Sequence, residues 1–418
     1  MTRANNQRHD SGAEASRGAS RGASAHRPVA AAVLKPLVAV AVVLAAATFY
    51  FGLPQSAGAG QTDAPKASVT KLKVTEIATG LANPWGLQFL PDGRMLVTER
   101  PGRIRIVDAA GKLSPPVAGV PKVHARGQGG LLDIRLAPDF ATTGTVFFSF
   151  SEPREGGKSA TAVARARLML ADGTDGGKLE DLRIIFRQQP AQPTSHHYGS
   201  RIVPRADGTL FVTTGDRGIG NLAQDTAATI GKVIRITADG GVPADNPKQP
   251  GWAPEVWSMG HRNIQGAAID SASGRLWTVE HGARGGDELN RPEAGKNYGW
   301  PVISYGRNYN LSKIGVGTGK EGMEQPVYFW DPSIATSGLA IYDGGLFPDW
   351  KGNLLVGGLA GAQVSRLVVE NGAIAAEEVL LEDRGDRIRD VRVGPDGAVY
   401  LLVDEGNGAI LKLTPAGR

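Results

Sequence analysis

A chain with only seven histidines sets two of them side by side, His196 and His197, just before a segment that alternates like a hairpin. A single aspartate, Asp216, stands just after that hairpin. Imidazole ordinarily titrates near neutral pH, so a histidine in such a place can act as a general base, and a carboxylate beside it can orient the ring and stabilise its charged form. The plainer reading is a hydrogen-bonded polar corner of a β protein. The chain has no cysteine, which excludes disulfides, thiolate catalysis and cysteine-ligated metals.

The elements that must position these groups recur along the chain. The unit is an alternating apolar strand, a tight turn of the Pro-Asp-Gly kind, a second strand and a looser polar stretch. It is found at residues 84–100, 130–151, 199–216, 265–282, 338–359 and 389–405, with further strands at 103–108, 231–237, 363–369 and 409–415. Period-2 alternation with glycine at the turns, in a chain of 57 Gly and 26 Pro, predicts an all-β fold. Six hairpin units with added strands predict a six-bladed β-propeller of four-stranded antiparallel blades, with a β-sandwich array as the structural alternative. In a propeller the informative positions are the blade edges, just before the first strand of each unit or just after the second. His197, Asp216, Gln128, Arg387 and Arg389 all hold such positions and are expected at one mouth of the central channel.

A propeller alone implies no chemistry. The runs at 127–140 (GQGGLLDIRLAPDF), 197–203 (HYGSRIV), 260–270 (GHRNIQGAAID), 280–290 (EHGARGGDELN), 295–301 (GKNYGWP) and 384–397 (RGDRIRDVRVGPDG) resemble the PQQ-dependent aldose sugar dehydrogenases, the soluble glucose dehydrogenase family. The likeness runs in order from about residue 70 to 415. It implies a six-bladed propeller, in agreement with the repeat.

The resemblance also implies roles. His197 falls where the family places the base that takes the proton of the sugar's anomeric hydroxyl, and Asp216 where it places the partner aspartate, which also binds substrate. Gln128 matches a substrate-binding glutamine, whose amide can donate to and accept from hydroxyls. Arg262, Asn263, Arg387 and Arg389 match residues lining the cofactor pocket, and PQQ, with three carboxylates and an o-quinone, calls for arginines. Calcium is implied at the carbonyls of Gly282 and Ala283, and a second, structural calcium at Asp287, Glu288 and Tyr298. Two positions depart from the family pattern: Ala283 replaces a usual proline, and Ala360 replaces a usual lysine that touches the cofactor.

The implied activity is oxidation of an aldose to a lactone, with electrons passed on to an external or membrane acceptor. Two rivals from other classes are a calcium-dependent lactonase on a six-bladed propeller and a non-catalytic propeller that binds glycan or protein. The lactonase would need side-chain carboxylates around one metal and no arginine cluster; the binding module would need neither His197 nor Asp216.

The N-terminus addresses location. Residues 1–36 form a basic Ser/Ala/Gly/Arg-rich segment expected to be disordered, and 37–53 (LVAVAVVLAAATFYFGL) run without a charge. With Ala57-Gly58-Ala59 as a small-residue cleavage site, 37–59 are expected to be a signal peptide or a retained membrane anchor, with 60–68 a linker and 69–418 the propeller outside the cytoplasm. The net charge of +5 comes in part from this basic leader, so no nucleic-acid partner is expected.

Overall fold

Alternating strands joined by Asp-Gly turns build the whole molecule. In three of the hairpins the turn glycine takes a left-handed φ, +87° at Gly93, +79° at Gly208 and +77° at Gly397. In each, the preceding aspartate accepts the backbone N–H two residues on: Asp92 from Arg94, Asp207 from Thr209 and Asp396 from Ala398. This is the reason for the Asp-Gly pair: glycine meets the φ requirement and the carboxylate closes the turn.

The computed structural model describes residues 60–171 and 176–417. The basic segment 1–36 and the apolar segment 37–59 lie outside the described residues. Within those described, six antiparallel sheets form a six-bladed β-propeller, each sheet ordered from an inner strand outward. The inner strands are Pro84–Phe89, Leu131–Leu136, Gly199–Pro204, Ile264–Ile269, Thr336–Ile341 and Ile388–Val393, defining blades one to six. Each touches the inner strand of the next blade, and Pro84–Phe89 also touches Ile388–Val393, so the ring closes. Blade six is completed by the N-terminal strand Leu72–Leu81, which pairs with Gly408–Pro415 and ties the two ends of the propeller together.

Five blades have four strands and blade one has three. The fourth place in blade one is taken by an irregular stretch: Leu113 bridges Val107, and the N–H groups of Ser114 and Val117 donate to the Ile106 and Ile104 carbonyls. Residues 60–68, expected as a linker, lie against blades four and five, where Gln61 bridges Tyr328 and Lys66 bridges Glu377.

The apolar faces of the strands bury between neighbouring blades. Leu96, Ile104 and Ile106 of blade one meet Ile134, Phe148 and Phe150 of blade two, and five further clusters repeat this around the ring. Full burial of such a side chain contributes about 1.5 to 3 kcal/mol, so stability resides between blades and leaves the channel mouth free to carry polar groups.

The inner strands also decide where those polar groups point. Every inner strand shows a register shift against its neighbour near its N-terminal end, for example between Pro84 and Leu87, between Ile264 and Gly266, and between Thr336 and Leu339. Such bulges break the ladder and re-aim side chains. Repeated six times, they turn one end of the channel into a polar mouth.

Candidate active site at the channel mouth

A cavity of about 370 Å³ opens at this mouth, lined by Gln128, Arg100, His281, Arg387, Arg389 and Asp404 among others. A volume of that size suits a small-molecule ligand. Trp85, Leu132 and Tyr198 form a small apolar cluster among its walls.

The expected base and its partner meet beside this cavity. His197 Nδ1 lies 2.6 Å from Asp216 Oδ1. Asp216 is 1% exposed, and its second oxygen accepts the Trp300 indole N–H at 2.7 Å while Oδ1 also accepts the Gly218 N–H at 2.7 Å. Burial alone would raise the Asp216 pKa, but the His197 bond and charge, Arg262 and the Gly218 N–H together hold it below the ordinary carboxylate value. The carboxylate is therefore ionised, accepts from Nδ1–H, and leaves the Nε2 lone pair of His197 as the accepting side.

The backbone here is forced. His197 has φ +51°, Gly199 +64° and Ser200 +97°, three left-handed residues within four positions. Non-glycine residues pay for such conformations and hold them only when surroundings over-determine them. The surroundings are visible: Gln128 Oε1 accepts the His197 N–H at 2.8 Å, and Asn263 Oδ1 accepts the Gly199 N–H at 3.1 Å. Buried Arg217 donates to the carbonyls of His196 and Ser159 at 2.9 and 2.7 Å and stacks on Tyr198 at 3.8 Å. A Cβ at Gly215 would come within 2.1 Å of the His197 carbonyl oxygen, so only glycine admits this approach.

The expected arginines divide. Arg389 is buried, bonds Asp404 at 2.7 Å and Gln265 at 3.0 Å, and so enters the cavity wall with its charge matched. Burial raises the Asp404 pKa, but the Arg389 charge outweighs it and keeps the carboxylate ionised. Arg387 is exposed and donates to the Leu359 carbonyl at 3.0 Å. Arg262 is buried, donates to the His281 carbonyl at 3.2 Å and lies over the Trp300 ring at 5.2 Å. Ala360 is exposed and lines the cavity next to Leu359, at the edge where Arg387 is anchored. Arg366, on the same blade as Ala360, is spent on Glu378 at 2.6 Å.

Two buried nitrogens in the cavity wall, Arg100 Nε and His281 Nε2, find no partner among the described residues, and Arg262 Nε and Asn263 Nδ2, which do not line the cavity, are likewise unpartnered. Buried donors without partners are costly, so a ligand rich in acceptor oxygens fits this environment. His281, whose ring burial pushes down to about 4 with the nearby Arg262 and Arg389 reinforcing against Asp287, contributes a neutral imidazole to the same wall.

The acidic loop behaves differently. Gly282 donates its N–H to Asp287 Oδ1 at 2.8 Å, and a Cβ there would collide with the Gly285 and Gly286 backbone, so the loop through Gly282 and Ala283 folds tightly on itself. Asp287 is fully buried and its oxygens also accept from Ser333 Oγ and the Thr336 N–H. Tyr298 donates to the Arg291 carbonyl at 2.6 Å, accepts the Glu293 N–H and stacks on His261. Asp287 and Tyr298 thus serve different partners, and Glu288 accepts the Asn290 amide at 3.1 Å. Burial, with Glu280 and Asp287 nearby, pushes Glu288 up to about 8. Among the described residues no three of His, Asp and Glu form a metal cage.

Several residues of the mouth escaped sequence reading: Arg100, Trp300, His281, Asp404 and Gln265. A signal for three of them exists. Arg100, His281 and Asp404 each follow directly on the second strand of their blade, one residue short of the position Asp216 takes after Thr214 in blade three. Trp300 and Gln265 carry no comparable mark.

The family model described as Glucose / Sorbosone dehydrogenase matches residues 81–412. Aldose sugar dehydrogenase YliI of Escherichia coli (strain K12) is 44% identical over 354 residues, which cover 84% of this chain and 94% of that protein. A glucose dehydrogenase crystal structure is 49% identical with a TM-score of 0.79, covering 82% of this chain and 100% of that one. The PQQ-bound form of aldose sugar dehydrogenase from Streptomyces coelicolor is 32% identical with a TM-score of 0.69, covering 83% and 99%. Propeller, polar mouth and matches together define an oxidoreductase of the sugar dehydrogenase class. The chain belongs to the Glucose / Sorbosone dehydrogenase family.

Proposed function

We propose that the protein oxidises aldose sugars to lactones with PQQ and calcium at the channel mouth. The observation that carries this reading is a cavity beside the His197–Asp216 pair in whose wall two buried nitrogens, Arg100 Nε and His281 Nε2, have no partner. Such donors suit a flat ligand bearing carboxylates and quinone oxygens. Arg387 and Arg389 add cationic edges to the same cavity.

PQQ held by these residues would supply a two-electron acceptor for the hydride leaving the sugar carbon, and the Gly282 and Ala283 carbonyls would hold a calcium ion that supplies Lewis acidity. His197 takes the hydroxyl proton on Nε2, because Asp216 occupies Nδ1. Asp216 stays ionised, fixes the ring and offsets the imidazolium charge. Gln128 spends Oε1 on the His197 backbone and keeps its amide N–H groups for sugar hydroxyls. Trp300 holds the far oxygen of Asp216, so the carboxylate cannot swing away from the imidazole. A second calcium at Asp287, Glu288 and Tyr298 would offset the crowding of the Glu288 carboxyl against Glu280 and Asp287, and no step depends on it.

Purified protein reconstituted with PQQ and calcium is expected to reduce a dye in the presence of aldose. Lactone hydrolysis without aldose oxidation would point to the lactonase, and neither activity to a binding module. Export of the chain through its N-terminal segment is part of the same proposal. Fractionation is expected to place the protein outside the cytoplasm, and N-terminal sequencing tells a mature start at Gly60 from an intact anchor.

A further inference from the structure

The six inner strands frame a second cavity at their other end. It measures about 280 Å³ and is lined by the C-terminal parts of those strands, including Phe89, Val203, Ile269 and Ile341. Beside these apolar side chains the wall carries three polar ones, Gln88, Arg135 and Arg392.

Between the two cavities lies a buried ionic cluster. Arg201 reaches Asp133 at 3.2 Å and Asp390 at 3.0 Å, and Arg392 reaches both at 3.1 Å. Arg135 donates Nε to the Ile202 carbonyl at 3.1 Å, and its terminal nitrogens make no hydrogen bond among the described residues. Three guanidiniums (Arg135, Arg201, Arg392) against two carboxylates (Asp133, Asp390) leave one positive charge unmatched. Arg389 does not alter this count, because Asp404 matches it on the side of the first cavity. Burial and the charge of Arg392 push Arg135 down to about 10 even with Asp133 and Asp390 opposing, the direction expected of a cation short of a counter-ion. Arg135 is half-buried, its terminal nitrogens are left without a protein partner, and a planar guanidinium with two free N–H₂ groups matches an oxyanion bidentately.

We propose that this second cavity is a binding site for a small oxyanion of carboxylate or phosphate size, seated on the terminal nitrogens of Arg135 with Arg392 beside it. The site is independent of the sugar-oxidising mouth. Its occupancy completes the charge balance of the cluster that plugs the channel.

Inorganic phosphate titrated calorimetrically at fixed ionic strength tests this in wild type, Arg135→Gln, Arg135→Lys and Arg387→Gln. The last variant is included because the arginines of the first cavity also attract anions. Binding is expected in wild type, weakened at least about tenfold in Arg135→Gln, partly restored in Arg135→Lys and unchanged in Arg387→Gln. No binding to wild type, or binding lost in Arg387→Gln and kept in Arg135→Gln, overturns the proposal. Should Arg135→Gln not fold, wild-type crystals soaked in selenate decide by anomalous scattering. Selenate beside Arg135 and Arg392 supports the site, and selenate only at Arg387 and Arg389, or nowhere, refutes it.

Discussion

His197 Nδ1 sits 2.6 Å from Asp216 Oδ1 across 19 residues of chain, because the blade-three hairpin brings its two ends together at the channel mouth. The pair sets the first prediction. His197→Gln is expected to fold and to bind PQQ while turnover falls by about two to four orders of magnitude, as for loss of a general base. Stopped-flow reduction of the loaded enzyme by aldose measures it, and a near wild-type rate would remove His197 from the mechanism.

Asp216 links the same pair to acid stability. Its pKa in the fold is depressed despite burial, so the stability it contributes is full above the unfolded value of about 3.9 and is lost as pH falls through the folded value. Melting temperatures of wild type and Asp216→Asn should differ at pH 5 and above, and the gap should narrow below about pH 4. A gap that widens on acidification contradicts this assignment.

Gly215 is the narrow point behind the base. A methyl group there meets the His197 carbonyl oxygen at 2.1 Å, and that oxygen belongs to backbone that cannot turn aside. Gly215→Ala should cost about 1 to 3 kcal/mol of stability and displace His197, lowering kcat more than it raises KM. Chemical denaturation and steady-state kinetics on one preparation check both parts.

Ala360 tests the cofactor edge. It is exposed in the cavity wall, so a lysine has room, and one more charge-assisted hydrogen bond should tighten PQQ about tenfold or more in Ala360→Lys. Arg387 lines the same cavity and donates to the neighbouring Leu359 carbonyl, so it is the natural candidate to be tested beside it. Titration of apo-protein with PQQ at fixed calcium measures the gain. If Ala360→Lys binds as wild type does, Arg387→Ala should be the variant that loses affinity.

Much of the fold was legible in the sequence because its signals are local. Alternation, Asp-Gly turns and the sixfold recurrence of hairpins depend on residues a few positions apart, and they predicted blades whose first two strands match the observed ones. The same recurrence placed His197, Asp216, Gln128, Arg387 and Arg389 at blade edges. Local pattern did not reveal that the fourth strand of blade one is irregular, since Leu113 is held by a bridge to Val107, Ser114 and Val117 by hydrogen bonds to the Ile106 and Ile104 carbonyls, and Ala118 by a bridge to Lys178 of blade two. Nor did it place residues 60–68 against blades four and five.

By itself the sequence determined the repeat, the turn chemistry and the candidate base, all encoded at short range in residue type and spacing. Only the tertiary structure decided which partners these groups meet. Trp300 reaches Asp216 across 84 residues and Arg389 reaches Gln265 across 124, contacts that exist because ring closure and the bulged inner strands bring distant edges to one mouth. It also chose the partners of Asp287 and Tyr298, Ser333 Oγ and the Arg291 carbonyl, which the spacing of the acidic loop does not specify. The physical reason is the same in both cases: hydrogen-bond partners at a channel mouth are chosen by distance in space and by competition among neighbouring donors, and neither is written in the spacing along one blade.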